Sequence, residues 1–105
     1  MPDHDIRFSS TLWIWQGEAS WHFVTLPEDK AAEVRFFTQM EAGAKPRGFG
    51  SVRVDVHADE VTWKTSLFPD KKSGSYLLPI KADIRKRLDW SVGEDRELCL
   101  WLTLP

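Results

Sequence analysis

The chain has 105 residues, which suits one domain and falls short of two, because independently folding units usually need on the order of 100 residues each. Apolar residues make up 42%, six Trp and six Phe among them, and the net charge is only −2, so enough surface can be buried to offset conformational entropy and a disordered or fibrous chain is excluded. Cys99 is the sole cysteine, which rules out an internal disulfide. With charged residues in Met1–Arg7 and no apolar run of about 18 residues, the expectation is a cytoplasmic, non-membrane protein. A single domain over 1–105 is expected, with 1–5 as a flexible N-terminus.

From Phe8 to Trp15 the sequence alternates, Phe8, Ser10, Leu12 and Ile14 on one face and Ser9, Thr11, Trp13 and Trp15 on the other, which is strand period. Gln16-Gly17-Glu18-Ala19 is expected to turn the chain into a return strand, Trp21–Leu26. Pro27, Glu28 and Asp29 then suit the first turn of a helix with Ala31, Val34 and Phe37 as its apolar stripe, stopped by Gly43 and Pro46. Val52, Val54 and Val56 alternate with Arg53 and Asp55. His57-Ala58-Asp59-Glu60 reads as a turn, and Val61, Trp63, Thr65 and Leu67 continue the alternation. After Phe68-Pro69 come a polar loop, Asp70–Ser75, a short strand Tyr76–Leu78 and a helix with Ile84 and Leu88 four apart. A last strand, Glu97–Leu104, turns Leu98, Leu100, Leu102 and Leu104 inward and Cys99, Trp101 and Thr103 outward.

This pattern predicts a mainly β protein of six or seven strands with two short helices. A Leu-Pro pair leading into a helix occurs at Leu26-Pro27 and again 52 residues later at Leu78-Pro79. The echo suggests an internal pseudo-repeat, two strand-helix-strand units whose sheets join around one core.

Trp63–Pro69, Gly74–Lys81 and Ile84-Arg85 together resemble the bacterial domain-of-unknown-function family 1905, and Trp21–Pro27 and Arg47–Val52 fit it as well. The resemblance covers nearly the whole chain and implies a small double-split β-barrel. It brings no catalytic or binding residue with it. A weaker likeness, through Leu78-Pro79, Ile84–Leu88 and Val92-Gly93-Glu94-Asp95, is to the proline-helix-glycine pattern of AbrB-like and MazE-like swapped-hairpin barrels, which are dimeric DNA-binding proteins. Those proteins have Gly-Asp where this chain has Gly93-Glu94, and a shared barrel does not transfer DNA binding.

Charge is unevenly distributed along the chain. Residues 1–44 carry a net −4 and 88–105 a net −3, whereas 45–87 hold ten basic and five acidic residues. If gathered on one face, that basic middle is an anion-attracting patch, although basic residues commonly just face water. Within it, Lys71 and Lys72 bring charge, Ser73 and Ser75 hydroxyls and Gly74 backbone access. Lys81 and Arg85 follow close in sequence, so these residues are the candidates for holding an anion between loop and helix start, the alternative being an ordinary hairpin loop with solubilising lysines. Trp13, Trp15 and Trp21 form a candidate aromatic platform for bases or sugars, or alternatively plugs for the barrel's open ends. His4, His22 and His57 lie in unrelated segments with no metal-binding spacing, and no nucleophile elbow is present, so no metal, cofactor or catalytic residue is expected.

The functional expectation is a non-enzymatic binding module, monomer or homodimer, contacting an anionic small molecule or protein partner through its basic middle. The alternatives are a nucleic-acid-binding barrel of AbrB-like type and a small enzyme whose active site leaves no sequence signal.

Overall fold

The computed structural model describes residues 5–17, 20–40 and 50–103. The N-terminal residues 1–4, the helix stop at Gly43 and Pro46, and Leu104 lie outside them. In chain order the elements are β1 (Ile6–Thr11), β2 (Trp13–Ile14), β3 (His22–Thr25), α1 (Glu28–Met40), β4 (Val52–Ala58), β5 (Val61–Asp70), β6 (Ser75–Pro79), α2 (Ala82–Leu88) and β7 (Asp95–Leu102).

All seven strands belong to one sheet in the order β1-β7-β4-β5-β6-β3-β2, every pairing antiparallel. The two ends of that order, β1 and β2, are consecutive in the chain and separated only by Leu12, so the sheet curls into a nearly closed barrel. Leu12 is fully buried; its N–H donates to the Glu94 carbonyl at 3.1 Å and its own carbonyl accepts from Gly93 N–H at 2.9 Å. Gly93 sits at φ 93, where an L side chain would be strained. Across the remaining gap the Ser10 hydroxyl donates to the Thr25 carbonyl at 2.8 Å.

A second long strand is divided in the same way. β5 pairs with β4 from Val61 to Leu67 and with β6 from Phe68 to Asp70. These two split strands give the double-split barrel, and they place each half of the chain in a similar setting: split strand, hairpin, short strand, helix, strand. Two hydrogen bonds make the relation explicit. Leu26 N–H donates to the Tyr76 carbonyl at 3.0 Å and Ile80 N–H to the His22 carbonyl at 2.9 Å, so Leu26 corresponds to Ile80 and His22 to Tyr76, each 54 residues apart. The Leu-Pro echo is therefore two residues out of step. Pro79 lies within β6 opposite Phe23, whereas Pro27 lies between β3 and α1.

The core follows from strand alternation. Val24 opposite Leu78 and Val56 opposite Leu100 are fully buried, with Ile6, Phe8, Val54 and Leu98 around them. Ala31 and Val34 of α1 and Ile84 and Leu88 of α2 join the same cluster, while Phe37 is only half-buried. Because β3 and β6 are antiparallel, the helices that follow them leave at opposite ends. Several strand ends shift by one or two residues from the sequence reading, and three differences change the architecture. The first strand breaks at Leu12, the β4–β5 turn is confined to Asp59-Glu60, and β5 continues through Phe68-Pro69. Asp59 takes the left-handed conformation, φ 53, that so tight a turn requires.

Leu78→Ala removes a fully buried side chain at the contact between the halves and is expected to cost about 2–5 kcal/mol, read from the urea midpoint. An unchanged midpoint contradicts this packing. Burial raises the Tyr76 phenol above its ordinary pKa, with the Arg35 guanidinium partly opposing. The neutral phenol is thus favoured in the folded state, and its contribution, present below pH 10, is lost as pH rises through the raised value. Tyr76→Phe should flatten that alkaline loss in unfolding measurements above pH 10, and an equally steep loss in both proteins contradicts it.

Candidate functional site

The basic loop is a hairpin tip between β5 and β6, and its polar groups are largely engaged within the protein. Asp70 accepts from the Ser73 N–H at 3.2 Å and the Ser73 hydroxyl at 2.8 Å; the Ser73 oxygen accepts from Ser75 N–H at 3.2 Å. Ser75 is buried and its hydroxyl donates to the Leu26 carbonyl at 2.8 Å. An aspartate of the chain itself therefore occupies the position where an anion was expected. Lys71 and Lys72 stay exposed at the tip, with Arg35 close by, donating to the Gly74 carbonyl at 3.4 Å.

Lys81 and Arg85 are not beside that loop. They lie past the far end of β6, and six strand-like steps from Ser75 to Lys81 amount to about 20 Å. The expected site between loop and helix start is thus divided: Lys71, Lys72, Ser73 and Ser75 at one end of β6, Lys81 and Arg85 at the other. Arg85 is half-buried, its guanidinium donating to the Ile80 carbonyl at 2.6 Å, which fixes the approach to α2.

A groove of about 170 Å³ opens at the Lys81 end. Trp63 and Thr65 of β5, Pro79 of β6 and Ile84 of α2 line it with buried or half-buried surface, and the exposed Lys64, Lys81 and Asp83 border it. Lys64 also pairs with Asp55 at 2.9 Å. The indole N–H of Trp63 is buried without a hydrogen-bond acceptor among the described residues. Other tryptophans differ in this respect: Trp13 donates to the Thr25 hydroxyl at 3.0 Å, Trp90 to the Glu94 carbonyl at 2.8 Å and Trp101 to the Asp5 carboxylate.

The groove exists because the two halves differ. In the first half the 13-residue α1 packs on β1, where Ile6 and Phe8 are buried. In the second, α2 has only seven residues and packs on β5, where Trp63 and Thr65 remain half-buried. In the sequence Trp63 reads only as one of the alternating positions of this strand, with Val61, Thr65 and Leu67. Its place among the polar neighbours Thr62, Lys64 and Thr65 was the only hint of something else.

Trp15 and Trp21 do not plug the barrel; they are 50% and 52% exposed. Trp13 is half-buried, and it and Trp21 flank Phe23, ring centroids at 5.4 and 6.0 Å. Trp15 N–H donates to the Trp21 carbonyl at 2.7 Å, placing the two tryptophans across the β2–β3 hairpin from each other. The three platform candidates thus occupy one hairpin. Phe23 pairs with Pro79, which also lines the groove, so hairpin and groove adjoin.

Cys99 is flanked in register by Arg7 and His57 on the outer face of the sheet. Its thiol pKa is nevertheless raised, by burial first and then by Asp5 and Glu97, with Arg7 opposing, and His57 faces the Thr62 hydroxyl at 2.9 Å. A thiol raised in this way is less nucleophilic at neutral pH, which fits a packing role. Iodoacetamide at neutral pH should alkylate Cys99 more slowly than it alkylates a free cysteine; faster reaction contradicts that assignment. Among the described residues no group of three or more His, Cys, Asp and Glu could hold a metal ion, and no helix is long and apolar enough to cross a membrane.

Comparison with curated proteins gave no match. The model of one family, described as Domain of unknown function (DUF1905), matches residues 8–100, a span from β1 to β7 that includes the barrel, both helices, the groove and the aromatic hairpin. On that match the chain belongs to this family, whose description assigns no activity.

Proposed function

We propose that the protein is a non-enzymatic binding module that holds the anionic end of a ligand or partner in the groove between β5 and α2. The observation that carries this reading is the buried Trp63 indole N–H without an acceptor, at a groove bordered by Lys64 and Lys81. An unpaired buried donor costs about 1–3 kcal/mol. The Trp63 Nε1 atom is itself closed to solvent, so an anion reaches it only once the indole turns toward the groove; an anionic oxygen then satisfies the donor and attracts the lysine ammonium groups as well. Asp83 on the same border favours a ligand with a hydrogen-bond donor next to its charge.

The basic middle segment serves this reading in two parts. Lys81 contacts the anion, and Arg85 holds the chain entering α2. Lys71 and Lys72, at the other end of β6, add to the field that draws an anion toward the protein.

Inorganic phosphate, titrated calorimetrically at low salt, is the direct probe. Lys81→Glu should weaken its binding about tenfold or more. The melting temperature should be unchanged, because Lys81 is exposed. A Lys71→Glu, Lys72→Glu double variant should weaken it less, with a deficit that shrinks at high salt. Equal phosphate affinity in the wild type and Lys81→Glu overturns the assignment.

A further inference from the structure

At about 170 Å³ the groove is well below the roughly 300–1,000 Å³ of pockets that enclose a whole small molecule. It accommodates an ionic group, and the rest of any ligand must lie on the adjoining surface. That surface is the aromatic hairpin. Phe23 neighbours Pro79 at the groove, and Trp21 lies two residues before Phe23, immediately ahead of β3. A strand spacing of about 4.8 Å and a rise of about 3.4 Å per residue put Trp21 about 8 Å from Pro79. The hairpin is shaped to hold its rings. A Cβ at Gly17 would overlap the Trp15 indole, so the turn needs glycine there for the ring to lie against it, and Trp21 rests on Phe23.

We propose that the ligand is a nucleotide unit, its phosphate in the groove and its base stacked on the half-exposed indoles of Trp21 and Trp15. This rests on the groove reading above and adds the ligand class. Half-exposed rings beside an anion-binding groove select a ligand with a flat π-face joined to an anion over a short polar spacer. A nucleotide has that form, and its sugar or base supplies donors for Asp83. Stacking on such rings contributes about 1–3 kcal/mol per base, equivalent to about 5- to 150-fold in affinity.

The experiment compares thymidine 5′-monophosphate, thymidine, inorganic phosphate and a short oligothymidylate on the wild type, on Lys81→Glu and on Trp15→Ala/Trp21→Ala. Thymidine monophosphate should bind about 5- to 150-fold tighter than inorganic phosphate, and the double tryptophan variant should lose that margin while retaining phosphate affinity. Circular dichroism confirms that the variant is folded. A tighter oligothymidylate identifies the source as a single strand, and equal affinity identifies a free nucleotide; both support the proposal. Phosphate binding with no gain from the base overturns the nucleotide assignment and leaves the groove reading intact. Thymidine binding as tightly as its monophosphate overturns the groove's part in the site, and no binding of any probe overturns both.

Discussion

Everything in this barrel depends on two strands that each change partners midway. The first passes from β7 to β3 at Leu12, and β5 passes from β4 to β6 between Leu67 and Phe68. Without those changes the molecule would be an open sheet with two exposed edges, a form that invites association. With them, a short chain closes around the Val24–Leu78 and Val56–Leu100 contacts. Leu12 extends the β1–β7 pairing through its hydrogen bonds with Glu94 and Gly93, and the Ser10 hydroxyl reaches across the remaining gap to the Thr25 carbonyl.

The same construction explains where the groove forms. Two similar halves meet at the antiparallel β3–β6 and β4–β7 pairs, each half sending one helix to its own end of the barrel. In one half a 13-residue helix goes with buried Ile6 and Phe8; in the other a seven-residue helix leaves Trp63 and Thr65 half-covered. A departure from internal symmetry that leaves a donor without an acceptor is difficult to explain as packing, since a well-packed core would pair or replace it. The exposed indoles of the β2–β3 hairpin adjoin the same end through Phe23 and Pro79.

Much of the fold was legible in the sequence, because period-two alternation is a local property. Val52, Val54 and Val56, and Leu98 and Leu100, declare their buried face without reference to the rest of the chain. Family likeness then converted strands into a barrel. What alternation does not record is a change of partner. Pro69 reads as the end of a strand, yet β5 continues through it because β4 no longer runs alongside there. The Leu-Pro echo was a likeness of residues and not of positions, since Pro79 is a strand residue and Pro27 is not. The candidate site was legible only in part. Lys81 and Arg85 are near the groove, but proximity to Lys71 and Lys72 in sequence concealed the length of β6 between them, and Asp70 filled its own loop. Trp63 was missed because the absence of an acceptor depends on β5, β6 and α2 together.

The central claim is that the end left open by the short α2 is a binding site whose donor is the Trp63 indole. The most direct measurement is a 1H–15N spectrum of the indole N–H groups during titration with thymidine 5′-monophosphate, resonances assigned by single Trp→Phe variants. The account predicts that the Trp63 signal moves downfield as it gains an acceptor, while that of Trp90, already bonded to Glu94, stays in place. Binding that leaves the Trp63 signal where it was would contradict it.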